Sequence, residues 1–291
     1  MLSTTRIHFS KMQGLGNDFV ILDNIIQSIK VDTSLVRKIA DRHCGIGCDQ
    51  VLVVEPPLDS TCDFQYRIFN ADGKEVEQCG NGARCFGRYV YERGLTDKKQ
   101  LTIGTLAGKL LIDVSDISCI QVDMGQPQFS PKEIPLNAKS VINLEQPGRY
   151  KIQLLGNYRE VSILSMGNPH CVMSVPSLHE AQVNELGKVL QKHPAFPQGV
   201  NVTFMQVLAK NHVRCRIFER GVGETMACGS GACAAVVVGI LQKELNPEVK
   251  VDMPGGSLIV HWPAEKGVLL SGPAVSVFEG SFAIQTPALE D

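Results

Sequence analysis

Short apolar runs separated by turn-forming residues dominate the hydrophobic pattern of this chain. The runs are rich in Val and Ile and end at Gly, Pro, Asn or Asp, which is typical of β-strands. The predicted strands span residues 19–22, 51–54, 64–69, 101–103, 110–114, 120–124, 161–164, 171–175, 213–218, 249–251, 258–261 and 275–283. Helical patterns are fewer and cover residues 34–41, 82–93, 179–192 and 231–241. Many strands with one central helix in each half predict an α+β fold.

An internal repeat divides the chain into two halves. Residues 67–86 (RIFNADGKEVEQCGNGARCF) align without a gap with residues 216–235 (RIFERGVGETMACGSGACAA), at an offset of 149. Two further matches share an offset of 151: Gly16-Asn17 with Gly167-Asn168, and Gln50 with Asn201. The three matches keep the same order, so the sequence predicts two related domains. A length of 291 residues agrees with two domains at about 100–200 residues each.

The segment 127–148 contains four prolines in 22 residues, and we expect the domain linker at or near its start. The C-terminal half would then begin close to residue 126.

Composition excludes several classes of protein. Hydrophobic residues make up 44% and charged residues 20% of the chain, which is usual for globular proteins. The net charge of −2 argues against a nucleic-acid partner. The longest apolar stretches, such as 234–241, are much shorter than the ~18 residues that a membrane span needs. The first 25 residues lack a secretory signal pattern, so we expect a cytoplasmic protein with no membrane partner.

Ten cysteines raise the question of metal binding. Cys44 and Cys48 are four residues apart, but no matching pair follows at the spacing of a zinc site. We therefore predict no metal. Eight cysteines are expected to do no more than pack in the interior: Cys44, Cys48, Cys62, Cys85, Cys119, Cys171, Cys215 and Cys233.

The other two cysteines, Cys79 and Cys228, occupy equivalent places in the repeat, where C-G-x-G opens a helix. The first N–H groups of a helix lack partners and its N-terminus carries partial positive charge, so a thiolate is favoured there and we expect a lowered pKa. The same N–H groups can bind a carboxylate. If the two domains face each other, one thiolate can remove a proton from a carbon while the other thiol protonates the opposite face. No pyridoxal phosphate or dinucleotide motif stands out, so we expect no cofactor.

Six segments resemble the diaminopimelate epimerase family, in the family's order and through nearly the whole chain. They are KMQGLGNDFVILD (11–23), DRHCGIGCDQVL (41–52), FNADGKEVEQCGNGARCFGRY (69–89), MGNPHCV (166–172), GVNVTF (199–204) and FERGVGETMACGSGACA (218–234). The resemblance implies two pseudo-symmetric lobes, each a mixed or antiparallel sheet around a central helix. The final strand would return to the first lobe. The lobes would be residues 1–125 with 274–291, and residues 126–273.

The resemblance also implies a cofactor-independent epimerase that interconverts LL- and meso-2,6-diaminopimelate in lysine biosynthesis, as a homodimer. Cys79 and Cys228 would be the acid/base residues, supported by His170 and Glu219. The substrate contacts would be Asn17, Gln50, Asn70, Gly80, Asn81, Asn168, Asn201, Glu219, Arg220, Gly229 and Ser230.

Two alternatives stay open. The first is a related isomerase or racemase that acts on proline, hydroxyproline or another substrate. The second is a thiol protein without catalytic activity that senses redox state or binds a metal.

Overall fold

The computed structural model describes residues 2–77, 79–263 and 266–287. The chain forms two compact units, Met1–Val122 with Pro273–Asp291, and Asp123–Gly272. We call them unit 1 and unit 2. The last residues of the predicted return segment, 288–291, lie outside the described residues.

Nineteen strands, four α-helices and one short 3-10 helix are present among the described residues. The strands are β1 (Leu2–Gly14), β2 (Asn17–Asp23), β3 (Gln50–Glu55), β4 (Phe64–Asn70), β5 (Glu75–Val76), β6 (Gln100–Thr105), β7 (Gly108–Asp113), β8 (Ile120–Asp123), β9 (Ile142–Asn143), β10 (Arg149–Leu154), β11 (Asn157–Ser165), β12 (Pro169–Ser174), β13 (Asn201–Ala209), β14 (His212–Glu219), β15 (Gly223–Thr225), β16 (Glu248–Met253), β17 (Gly256–His261), β18 (Leu269–Gly272) and β19 (Val275–Pro287). The α-helices are α1 (Thr33–Ala40), α2 (Gly80–Glu92), α3 (Val183–Gln191) and α4 (Gly229–Leu241), and the 3-10 helix is Ala138–Ser140.

The two units repeat one strand topology. In unit 1, β2 pairs with β1 antiparallel and with β3 parallel, and β4 pairs with β3 and β5 antiparallel and with β6 parallel. In unit 2, β12, β13, β14, β15 and β16 repeat these pairings, with β11 in the place of β1. Helices α1 and α3 lie in the parallel crossovers, while α2 and α4 follow the short strands β5 and β15. The predicted α+β fold with two similar lobes is confirmed.

Helices α2 and α4 are the central helices of their units. Ten of the thirteen residues in each are buried, which the apolar sequence of α4 predicts. Glycines in the first turns allow the sheets to approach, since a Cβ on Gly82 would lie 2.4 Å from the Tyr66 hydroxyl and one on Gly231 would lie 2.7 Å from Ile217 Cδ1. The first turns of both helices are therefore held firmly against their own sheets.

Strand register brings polar residues to equivalent places in the two units. Gln50, at the start of β3, lies opposite Phe19 on β2 and Asn70 on β4. In unit 2, Asn201 starts β13 and lies opposite His170 on β12.

The proline-rich segment 127–148 packs within unit 2, and the division between the two units falls just before it, after Val122. Ile134 is fully buried in the unit 2 core together with Ile152 and Phe204, and Gln128 forms a bridge with Ser165.

The expectation that eight cysteines pack in the interior is correct for six of them. Cys44 is exposed and Cys119 is only half-buried. No helix among the described residues is both long enough and apolar enough to cross a membrane.

Candidate active site

Cys79 is the N-cap residue of α2. Its backbone is extended (φ −144°, ψ 112°), and its Sγ accepts the N–H of Gly82 at 3.4 Å. The first intrahelical bond joins Ala83 N to Cys79 O at 2.8 Å. Cys79 thus lies where the amide groups of the first turn converge, beside Gly80 and Asn81, and these groups can bind an anion.

Asn17 places a side-chain amide beside the Cys79 thiol. Its Oδ1 lies 3.8 Å from Cys79 Sγ and accepts Asn81 Nδ2 at 3.4 Å. Its Nδ2 donates to Asp49 Oδ2 at 2.9 Å. Asn17, Cys79 and Asn81, three predicted site residues, therefore meet at one point.

Gln50 and Asn70 form a second polar pair in unit 1. Gln50 Nε2 donates to Asn70 Oδ1 at 2.8 Å. Gln50 Oε1 is buried and has no hydrogen-bond partner among the described residues. A buried acceptor of this kind is costly unless a donor reaches it, so this oxygen is suited to a ligand N–H or O–H group.

Cys228 is the N-cap of α4 and is only 6% exposed. Burial raises its pKa well above the usual value, and the charge of Glu219 raises it further. The Ser230 hydroxyl, 3.5 Å from Sγ, and the Gly231 N–H act in the opposite direction but do not outweigh burial. The expected lowering of the pKa by the helix N-terminus is therefore wrong for Cys228.

Glu219 is the last residue of β14, and Arg220 begins the loop before β15. Glu219 Oε1 accepts the hydroxyl of Thr225 at 2.5 Å, and its backbone carbonyl accepts Gln191 Nε2 at 2.6 Å. Arg220 N donates to Asn201 Oδ1 at 2.9 Å. These bonds fix Glu219, whose carboxylate also interacts with the thiol of Cys228 at the start of α4.

His170 is fully buried on β12, and its Nε2 lies 2.8 Å from Asn168 Oδ1. Burial, followed by the positive charge of Arg220, lowers its pKa to about 3. The imidazole is consequently neutral near pH 7. Its Nδ1 is buried with no hydrogen-bond partner among the described residues. Asn201, opposite His170, donates to the carbonyl of Pro169 at 3.2 Å.

The structure groups the predicted residues within each unit. Unit 1 contains Asn17, Gln50, Asn70, Cys79, Gly80 and Asn81, and unit 2 contains Asn168, His170, Asn201, Glu219, Arg220, Cys228, Gly229 and Ser230. Equivalent ion pairs brace the loop before each helix: Arg67–Glu75 at 2.8 Å and Arg216–Glu224 at 2.6 Å.

Sequence reasoning did not single out Asp49 or Arg84, although both lie inside the quoted motifs GCDQ and CGNGARC. Cavities of about 620 and 500 Å³ in the described part of unit 2 are lined by residues other than the predicted site residues. Among the described residues, no group of three or more His, Cys, Asp or Glu side chains is arranged to hold a metal.

Solved structures of low sequence identity share this fold. A hydroxyproline epimerase from Agrobacterium vitis, solved with trans-4-hydroxy-L-proline, has a TM-score of 0.68 and 14% identity, with 97% of this chain and 94% of that chain covered. A phenazine biosynthesis protein of the PhzF family from Bacillus anthracis has a TM-score of 0.66 and 20% identity, with coverage of 96% and 100%. A probable proline racemase from Agrobacterium radiobacter K84 has a TM-score of 0.67 and 15% identity, with coverage of 98% and 93%.

The sequence comparison is more specific than the shared fold. The family model of diaminopimelate epimerase matches residues 9–130 and 162–277, which include every predicted site residue. The match supports an epimerase or isomerase activity. Because it spans most of both units, the chain belongs to the diaminopimelate epimerase family.

Proposed function

We propose that this protein interconverts LL- and meso-2,6-diaminopimelate by proton transfer between the thiols of Cys79 and Cys228. One observation carries the proposal: the two duplicated units present a cysteine at the same point, the N-cap of the central helix. Inversion of a stereocentre needs two groups that exchange a proton with opposite faces of one carbon. Duplicated thiols meet that need without a cofactor.

In the proposed step, the thiolate of one cysteine removes the α-proton, so that a C–H bond breaks and an S–H bond forms. The thiol of the other cysteine gives its proton to the opposite face, and that cysteine becomes the thiolate. Between the two proton transfers, negative charge develops on the α-carbon and toward the α-carboxylate. The N–H groups at Gly80-Asn81 and Gly229-Ser230 would stabilise this charge, because they are donors that need no reorganisation.

The strength of the base matters because an α-proton beside a carboxylate and an ammonium group is very weakly acidic. The pKa of Cys228 is raised, so its thiolate, once formed, is a stronger base than an ordinary thiolate. Glu219 contributes to this strength through its charge, and neutral His170 adds no positive charge that would weaken it.

The distal amino and carboxylate groups of the substrate would bind to the remaining polar side chains. Gln50 Oε1 is a buried acceptor to which a substrate ammonium could donate a hydrogen bond. The guanidinium of Arg220 could form an ion pair with a substrate carboxylate. The amides of Asn17, Asn70, Asn168 and Asn201 both donate and accept, which suits a zwitterionic end. This activity would place the protein in cytoplasmic lysine biosynthesis, and the resemblance implies a homodimer, which light scattering would test.

The test is incubation with LL-2,6-diaminopimelate in deuterated water under reducing conditions and without added cofactor. We expect deuterium at the epimerised α-carbon and formation of the meso isomer. Cys79→Ser and Cys228→Ser should each lower the rate by several orders of magnitude, whereas Cys44→Ser, at an exposed cysteine, should not. Absence of exchange in the wild type would refute the proposal. Exchange with L-proline or trans-4-hydroxy-L-proline instead would identify a related racemase.

A further inference from the structure

A directional chain of hydrogen bonds runs past the Cys79 thiol in unit 1. Arg84 Nη2 donates to Asn81 Oδ1 at 2.9 Å, and Asn81 Nδ2 donates to Asn17 Oδ1 at 3.4 Å. Asn17 Nδ2 donates in turn to Asp49 Oδ2 at 2.9 Å. This series of hydrogen bonds begins at the Arg84 cation and ends at the Asp49 carboxylate. The two amides between them, Asn81 and Asn17, point in the same direction.

The charged ends determine which way each amide points. Ionised Asp49 has only acceptors, so Asn17 must turn its NH₂ group toward Asp49. Arg84 has only donors, so Asn81 must turn its oxygen toward Arg84. Asn17 Oδ1 is then left facing Cys79 Sγ at 3.8 Å. The reverse orientation would place an NH₂ group of Asn17 against the sulfur.

We propose that Asp49 and Arg84 are positioning residues, which orient the amides of Asn17 and Asn81 so that Asn17 Oδ1 accepts the thiol hydrogen of Cys79. Both residues act through the amides and not on the substrate.

Both ends of the chain are themselves held in place. Asp49 Oδ2 also accepts Asp18 N at 3.1 Å, and Asp49 Oδ1 accepts Arg42 Nη2 at 2.8 Å. Arg84 has no exposed surface and also donates to the carbonyls of Gly80 at 3.3 Å and Pro273 at 3.2 Å. Burying a cation is costly unless it is well bonded, so these carbonyl bonds keep Arg84 where it can orient Asn81.

The other titratable neighbours do not provide this orientation. The phenol of Tyr66 on β4 and the thiol of Cys85 on α2 interact electrostatically with Cys79, but the burial of both raises their pKa values, so both are neutral near pH 7. Asp18 on β2 is paired with Lys11 and Arg42. The direction of the amide next to the sulfur is therefore set from the two ends, by Asp49 through the shorter bond to Asn17 at 2.9 Å and by Arg84 through Asn81 at 3.4 Å.

The chemical consequence rests on the proposed function of Cys79. An oxygen beside the sulfur favours the thiol over the thiolate and so opposes the Gly82 N–H, which favours the thiolate. An NH₂ group would do the opposite. Glu219 has the same effect on Cys228 in unit 2, so each unit places an oxygen acceptor near its thiol. The acceptor is the neutral amide of Asn17 in unit 1 and the carboxylate of Glu219 in unit 2, and each favours the protonated form of its thiol.

The test measures the protonation of Cys79 without any substrate. Iodoacetamide alkylation of the full chain is followed at the Cys79 peptide by mass spectrometry across a pH series, which gives the midpoint of thiolate formation. Asp49→Ala removes the acceptor and frees Asn17 to turn, so we expect the midpoint to fall by roughly half to one pH unit. Asp49 is 44% exposed, so this variant should fold, which circular dichroism checks.

The Asp49→Asn variant separates orientation from charge. It lacks the negative charge, as Asp49→Ala does, but its oxygen can still accept Asn17 Nδ2 and Asp18 N together. We expect its midpoint to lie closer to that of the wild type than to that of Asp49→Ala. Asp59→Ala, at a similarly exposed aspartate paired with Lys109, should not move the midpoint.

Two results would overturn the inference. Equal shifts in Asp49→Ala and Asp49→Asn would assign the effect to charge alone, and an unchanged midpoint in Asp49→Ala would show that Asp49 does not control the thiol. Because no substrate is present, failure of the epimerase assay and failure of this inference are separate results.

Discussion

Gly82, at the third position of α2, allows the Cys79 helix to approach the sheet, and its replacement tests that contact. A Cβ at Gly82 would lie 2.4 Å from the Tyr66 hydroxyl, 3.3 Å from Leu52 Cδ2 and 3.4 Å from Phe19 Cε1. Tyr66 cannot move aside easily, because it is fully buried and its ring lies 4.7 Å from that of Phe86. We expect Gly82→Ala to push the first turn of α2, and Cys79 with it, away from the sheet.

The magnitude follows from two opposing contributions. Overpacking a tight site costs about 1–3 kcal/mol. Replacing Gly by Ala in a helix returns at most ~1 kcal/mol. We therefore expect Gly82→Ala to lower the free energy of unfolding by about 1–2 kcal/mol and to reduce the rate of α-proton exchange.

The Tyr66→Phe variant tests whether the Tyr66 hydroxyl is the atom that the new Cβ would contact too closely. The Tyr66 hydroxyl is buried and finds no hydrogen-bond partner among the described residues, so its removal should cost little stability. In the double variant the nearest atoms to the new Cβ are Leu52 Cδ2 and Phe19 Cε1, at tolerable distances. The cost of Gly82→Ala should therefore fall below ~1 kcal/mol in the Tyr66→Phe background.

Urea unfolding of the four proteins of this cycle measures the coupling, and deuterium exchange measures the effect on the site. If Gly82→Ala costs the same in both backgrounds, the Tyr66 hydroxyl does not limit the approach of α2. If it costs nothing in either background, α2 is not packed tightly against the sheet at Gly82.

Three further predictions concern charge and burial. His170 is buried with a pKa of about 3 against 6.5 in the unfolded chain, so the unfolded state binds more protons. Stability should thus fall by about 1.4 kcal/mol per pH unit as the pH drops from ~6 toward ~3, and His170→Gln should flatten this profile in urea unfolding. Glu219→Gln removes a charge that raises the Cys228 pKa, so alkylation of Cys228 at pH 8 should become faster. Arg84→Met should lower the free energy of unfolding by about 2–4 kcal/mol, because it strands the Pro273 carbonyl and other buried acceptors.

Each of these three predictions would be contradicted by a specific result. An unchanged acid profile in His170→Gln would mean that another group causes the loss of stability. Unchanged or slower alkylation of Cys228 in Glu219→Gln would remove Glu219 as a cause of the raised pKa. An Arg84→Met protein as stable as the wild type would show that the buried guanidinium is not needed to satisfy its carbonyl partners.

The elements that local pattern predicts well have either a regular apolar period or, as in α4, an apolar sequence on all sides. All four predicted helices are present, and α4 ends at Leu241 as expected. Helix α2 begins at Gly80, two residues before the predicted start, because Cys79 takes the N-cap position. The repeat correctly predicts two units with one topology.

Strand β1 shows where local pattern is insufficient. Its sequence, LSTTRIHFSKMQG, is largely polar and was not among the predicted strands. It forms a strand because it pairs antiparallel with β19 from Leu2–Pro287 to Gln13–Val275, some 270 residues away in sequence. Backbone pairing of that kind supplies the hydrogen bonds that side-chain periodicity does not reveal.

The sequence was sufficient to establish the duplication, the helix-capping cysteines and the family, because these depend on residue identity and spacing along the chain. The protonation of those cysteines depended on the folded structure. A helix N-terminus alone favours a thiolate, yet burial and Glu219 raise the pKa of Cys228, and Asn17 turns its oxygen toward Cys79. The positions of Asp49 and Arg84 at the two ends of one amide chain likewise arise from folding. Solvation and hydrogen-bond direction are properties of a three-dimensional neighbourhood, which no single stretch of sequence contains.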